Sequence, residues 1–156
     1  MSQDSFWMTQ AYNLAVNAKA QGEVPVGAVL VSQDNILLGS GWIQVIQRND
    51  PTAHAKIVAI KAAASSQCNY RLLDTALYVT LEPCCMCAGA LIHARIARLV
   101  FATRDFKAGA AGSVFNLLQG YPLNHKLRID EGYLQHECAS LLTDFFSDCR
   151  SGTRHH

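Results

Sequence analysis

Charge is scarce in this chain of 156 residues, and so are aromatics: 16% of residues are charged and 8% aromatic. The two signs nearly cancel, with 13 Lys and Arg against 12 Asp and Glu and a net charge of +1. So little net field does not gather nucleic acid non-specifically, and any such partner has to be held by a local patch. No apolar run approaches the ~20 residues of a membrane span. Met1-Ser2-Gln3-Asp4-Ser5 lacks the basic start and apolar core of a secretory signal. These absences lead us to expect a cytoplasmic protein with no membrane contact. Prolines number only 4, and no repeat, low-complexity tract or inter-domain linker interrupts the chain. What is plentiful is apolar side chain, at 50%, which excludes intrinsic disorder. The length suits one domain over 1–150, able to bury roughly 70% of its unfolded surface. Residues 151–156 read as a flexible tail or the remnant of a tag.

Cysteine is the exception to this plainness, with 6 residues. Cys84, Cys85 and Cys87 crowd together, whereas Cys68, Cys138 and Cys149 stand alone. A secreted disulfide scaffold spreads its cysteines through a shorter, loop-rich chain. In a reducing compartment a Cys-x-x-Cys cluster binds metal or does redox work. Cys85 and the three isolated cysteines are expected to be packing residues.

Hydrophobic spacing orders the elements. Phe6, Tyr12, Leu14, Ala15 and Ala18 recur at helical intervals between Ser5 and Gln21, and Gly22 is a natural stop. Val26 to Val31 and Ile36 to Trp42 form a hairpin about Ser32-Gln33-Asp34-Asn35. Asp50-Pro51-Thr52 opens a helix from Ala53 to Ala64. A buried strand, Ala76 to Leu81, is broken by Pro83, and Cys84 to Arg95 has helix composition. Arg98 to Ala102 is a further strand, followed by the small-residue loop Lys107 to Ser113. A short helix is expected at Val114 to Leu118, a strand at Leu127 to Asp130 and a last helix from Tyr133 to Asp148. The alternation predicts an α/β domain with a mixed five-stranded sheet and helices on both faces.

The residues that carry chemistry are His54 and the run Pro83-Cys84-Cys85-Met86-Cys87. Cys84 and Cys87, three apart at a helix start, aim two sulfurs at one point, where unpaired amides and the helix dipole favour thiolates. Taken alone, the pair is equally a redox couple or two buried thiols, and a histidine at a helix start is more often structural. Together they form a three-ligand zinc site with a fourth tetrahedral position open, the pattern of catalytic rather than structural zinc. Asp50-Pro51-Thr52 before the histidine and Glu82-Pro83 before the cysteines strengthen that reading.

His54-Ala55-Lys56 with Pro83-Cys84-Cys85-Met86-Cys87 is one residue away from the zinc nucleobase deaminase signature H-x-E…P-C-x-x-C. Four longer segments narrow the likeness. They are Glu23 to Val29, Asn49 to Ala55, Leu77 to Pro83, and Arg104-Asp105 through Lys107 to Ser113. Thr143-Asp144-Phe145-Phe146 also fits, so the chain resembles the bacterial tRNA adenosine deaminases from about Phe6 to Arg150. The resemblance implies a cytidine-deaminase-like three-layer fold and a homodimer. It also implies hydrolytic conversion of adenosine to inosine at the wobble position of a tRNA anticodon stem-loop. By similarity His54, Cys84 and Cys87 hold one zinc ion per chain. Val24, Pro25, Ile43 and Ala55 are expected about a base flipped out of the stack. Asp105 and Lys107 fall in the loop beside the flanking nucleotides, and Phe145 and Phe146 either stack near the RNA or pack in the core. That tRNA-type loop argues against deamination of a free base or nucleoside.

Two positions depart from the family. Its general acid/base is a Glu two residues after the histidine, where this chain has Lys56. A protonated lysine has no lone pair with which to accept a proton, and it sets a second positive charge beside the metal. The expectation is a chain that binds but barely deaminates. Ile43 stands after Gly41-Trp42, where the family usually has Asn, so a donor and an acceptor become an apolar wall. This weakens substrate positioning or relaxes the choice between adenine and cytosine. A noncatalytic tRNA-binding or partner subunit is the alternative. The cations available to phosphates are Arg48, Lys107, Lys126, Arg128 and Arg150, of which only Lys107 rises above ordinary surface charge. Few phosphate contacts and a shallow salt dependence follow.

Overall fold

Along the central strands, successive side chains go to opposite faces of one sheet, as the two-residue period of a pleated strand requires. In the computed structural model, which describes residues 2–119 and 127–151, Ala28, Leu30, Leu77, Val79, Leu99 and Phe101 enter one core. Val29, Val31, Tyr78, Val100 and Ala102 enter another. The strands are β1 (Gly27–Val31), β2 (Leu37–Trp42), β3 (Ala76–Leu81), β4 (Arg98–Thr103) and β5 (Arg128–Glu131). They lie in the order β2-β1-β3-β4-β5. β1 is antiparallel to β2 and β3, while β3, β4 and β5 run parallel. Helices α1 (Gln3–Ala20) and α4 (Gln135–Arg150) supply side chains to one face, α2 (Ala55–Gln67) and α3 (Cys85–His93) to the other. The expected three-layer α/β arrangement is therefore present.

Local chemistry explains the boundaries. Ser2 caps α1 by accepting the Ser5 amide at 3.1 Å, and Gly22 at φ 81° follows the helix end. Asp50 does not begin a helix. Its carboxylate accepts the Thr52 amide at 2.9 Å in a turn, and α2 starts only at Ala55. The glycines of β2 let α2 lie close on the sheet: a Cβ at Gly41 would sit 2.7 Å from Val58 Cβ, and one at Gly39 2.6 Å from the Ala63 amide. The helix expected at Val114 to Leu118 is absent. Both the Val114 and Phe115 amides turn back to the Gly109 carbonyl, and Ala111 bridges to Asn116.

The topology gathers distant segments at one end of the sheet. Gly27 at the start of β1 pairs with Trp42 at the end of β2. Ala28 pairs with Val79 on β3, and Leu81 with Thr103 on β4. Residues 24–26, 43–54, 82–87 and 104–113 therefore leave the sheet on the same side.

Candidate metal centre

Two helices begin at that end, and each donates its cap residue. His54 is the N-cap of α2, with φ −74° and ψ 154°, and Cys84 the N-cap of α3, with φ −77° and ψ 178°. Neither side chain caps its own helix, so imidazole and thiol are left free to turn outward. Cys87 follows in the first turn of α3 and is fully buried.

The three ligand atoms form a nearly equilateral triangle. Cys84 Sγ to Cys87 Sγ is 3.7 Å, Cys84 Sγ to His54 Nδ1 3.7 Å and Cys87 Sγ to His54 Nδ1 3.5 Å. A zinc ion with Zn–S near 2.3 Å and Zn–N near 2.05 Å in tetrahedral geometry needs edges of about 3.8 Å and 3.6 Å. The residues fit zinc as they stand, with one ligand position left over. Among the described residues these three are the only such group of potential ligands. The thiols already differ in basicity. The Cys87 thiol and the His54 ring beside it pull Cys84 down to about 3, while the bond to Cys84 and burial push Cys87 up.

Lys56 lies two residues beyond His54, 3% exposed, and its positive charge favours the thiolate form of both cysteines. Val24, Ile43 and Cys84 are half-buried and pack on one cluster with the buried Ala55 and Cys87. Pro25 is buried beside them in sequence, and the Ile43 amide donates to the Val26 carbonyl at 3.2 Å. The loop carrying Asp105 and Lys107 is joined to the ligand turn, because the Ala110 amide donates to the Pro83 carbonyl at 2.8 Å.

Other expectations change. Phe145 is 2% exposed and belongs to the interior, in edge contact with Phe146, which is 44% exposed. Only Phe146 is left with a free face. Cys138 is buried as expected, but Cys85 and Cys68 are exposed, Cys85 outward on α3 and Cys68 in the left-handed cap of α2. Arg48, Lys107 and Arg150 are exposed, Arg128 is held by Asp130 at 3.1 Å, and Lys126 lies outside the described residues.

Two buried carboxylates hold the flanking loops, a role that the sequence pattern does not assign them. Glu23, 0% exposed, accepts the Ile46 and Gln47 amides at 3.1 and 2.8 Å, pinning the 43–54 segment. Glu82, 1% exposed, pins the 104–113 loop. Burial alone would raise the Glu82 pKa, but bonds from Ser113, Asp105 and Ala111 outweigh it and hold the group below its ordinary value. The available signal was a lone charge in the apolar run Leu77 to Pro83.

Residues 1–103 match the cytidine and deoxycytidylate deaminase zinc-binding region. The tRNA-specific adenosine deaminase of Haemophilus influenzae is 50% identical, over 94% of this chain and 85% of that protein. The Bacillus subtilis tRNA-specific adenosine deaminase is 39% identical, over 96% and 92%. A structure from a study of A-to-I editing by tRNA:A34 deaminases at the wobble position aligns with a TM-score of 0.84 and 37% identity, covering 88% of this chain and 99% of its own. Guanine deaminase from Nitrosomonas europaea shares the fold, with a TM-score of 0.78 at 23% identity, over 92% and 84%.

Proposed function

The chain belongs to the cytidine and deoxycytidylate deaminase family, and from that premise we propose a tRNA adenosine deaminase scaffold that works slowly. It binds an anticodon stem-loop and one zinc ion, and a lysine stands where proton transfer needs a base. The relatives named tRNA-specific adenosine deaminase support the substrate. The observation that carries the impairment is Lys56, buried beside the His54–Cys84–Cys87 triangle.

Hydrolytic deamination breaks the C6–N bond of adenosine and forms a C6–O bond, releasing ammonia and leaving inosine. Water must give up both its protons, one to the ring nitrogen N1 and one to the departing amine. His54, Cys84 and Cys87 would hold the zinc, which when bound would supply the Lewis acidity that draws the pKa of water from 15.7 toward about 7. The remaining transfers need a side chain that accepts and then gives back a proton. A carboxylate does both; an ammonium has three donors and no acceptor. Val24 and Ile43 exclude water from the base without reading its edge, since neither side chain bears a donor or acceptor. A loosened preference for adenine over cytosine goes with Ile43.

The test pairs zinc content with inosine formation on a stem-loop carrying adenosine at the wobble position. We expect one zinc per chain and turnover 10²–10⁴-fold below that of Lys56→Glu. Equal turnover in the two chains overturns the impairment. The second reading, a noncatalytic tRNA-binding or partner subunit, is favoured by the same lysine. Tight stem-loop binding with no turnover, resistant to rescue by Lys56→Glu, would establish it. The proposal includes a cytoplasmic homodimer, checked by sedimentation. Exposed Tyr70, Leu73 and Phe106 are apolar surface that a second copy or RNA would cover.

A further inference from the structure

The 104–113 segment contains neither helix nor strand, yet eight of its amides have acceptors, and a single side chain takes three of them. Glu82 Oε1 accepts the Asp105 amide at 3.1 Å and the Ser113 hydroxyl. Its Oε2 accepts the Ala111 amide at 2.9 Å and the Ser113 amide at 3.1 Å. The approach is so close that a Cβ on Gly109 would fall 2.6 Å from Oε1, so only glycine fits there. Asp105 tightens the tip, its carboxylate accepting the Lys107 and Ala108 amides at 3.0 and 3.1 Å. The clamp is itself anchored at its own backbone and at the next residue. The Glu82 amide donates to the Thr103 carbonyl at 2.9 Å, and Pro83 accepts the Ala110 amide at 2.8 Å. From this frame Phe106 projects with 77% of its surface exposed, beside the exposed Lys107.

We propose that Glu82 is a positioning residue. Its carboxylate fixes the 104–113 loop in one conformation, ties it to the ligand turn at Cys84, and so presents Phe106 and Lys107 to the nucleotides flanking the target base. The clamp stands on the structure, and its use for RNA rests on the stem-loop reading above. Regular structure would satisfy these amides by pairing with one another and would draw the loop into a helix or strand. A buried carboxylate satisfies four donors from one point, leaving an aromatic face and a cation pointing outward. An aromatic face accepts any base by stacking, and a neighbouring cation meets the phosphate.

Glu82→Gln keeps the volume but turns one acceptor into a donor facing amides. Ser113→Ala removes a single bond and serves where the first variant folds poorly. The readouts are amide hydrogen exchange, zinc content and affinity for a fluorescent RNA stem-loop. In Glu82→Gln we expect exchange at Asp105, Ala111 and Ser113 to quicken about tenfold or more, and stem-loop affinity to fall roughly tenfold. Zinc content and exchange along β3 and β4 should stay at the parent's values. Ser113→Ala should move the same amides less. Unchanged loop exchange, or a uniform quickening across the sheet with unchanged affinity, overturns the proposal. If the parent itself does not bind the stem-loop, the RNA reading falls, and loop exchange still decides the clamp.

Discussion

The proposed impairment turns on one residue, Lys56. Lys56 is buried with its charge beside both thiols, so replacing it alters base strength and local field together. Two variants separate these effects. Lys56→Glu should raise inosine formation 10²–10⁴-fold, worth about 3–5 kcal/mol of barrier. Lys56→Met, which removes the charge without supplying a base, should leave turnover near the parent's. Recovery by methionine would mean that the cation, rather than the missing base, is the obstacle. Adding Ile43→Asn to Lys56→Glu should give roughly a further tenfold through restored hydrogen bonding to the base. Lys56 and Ile43 are drawn to attention by the sequence because each sits inside a motif. That Lys56 is 3% exposed is not legible there, since burial depends on what α2 meets.

The elements are held by a few long-range polar ties. Asp4 in the first turn of α1 takes a two-pronged bond from Arg98 of β4 at 2.8 and 2.9 Å and the Tyr78 hydroxyl of β3 at 2.6 Å. Arg98 also reaches Asp130 of β5 at 2.8 Å. The Arg98 guanidinium, aided by Tyr78 and opposed by burial, holds the Asp4 carboxyl well below its ordinary 3.8. A depressed carboxyl stabilises the fold above its unfolded pKa, and that contribution is lost as pH falls through the acid range. Asp4→Asn should therefore cost about 2 kcal/mol in urea unfolding at pH 7. The gap between parent and variant should be narrower at pH 3 than at pH 7 and close only as pH falls through the depressed folded value. An equal gap at both pH values would show that the carboxylate charge is not what secures α1. The missing helix at 114–118 makes the same point. Its composition suits a helix, but the Val114 and Phe115 amides turn back to the Gly109 carbonyl and the Leu117 amide to that of Ala110, so the chain folds back on the loop instead.

At the scale of the molecule, the proposed function ties stability to metal and RNA. The proposed zinc would bind only where two segments of the fold converge, so chelation should lower the melting temperature of the zinc-loaded protein by about 6–10 °C. His54→Ala should show no such shift, and a chelator-indifferent parent would refute the metal centre. With a net charge of +1, stem-loop affinity should fall gently between 50 and 200 mM salt, with a logarithmic slope of about −3 or shallower. Lys107→Ala should reduce that slope by about 0.7. The sequence by itself determined the fold class, the order of the five strands and four long helices, and His54, Cys84 and Cys87 as candidate ligands, though it also suggested a helix at 114–118 that is absent. Those features rest on short-range rules: side-chain period, turn chemistry, and ligand spacing within one helical turn. Tertiary structure alone decided that His54 meets the cysteines, that Phe145 turns inward and Cys85 outward, and that Glu23 and Glu82 hold the flanking loops. Each depends on β1 running antiparallel to β3 while β4 runs parallel to it. That pairing brings together chain segments far apart in sequence, whose meeting no local pattern records.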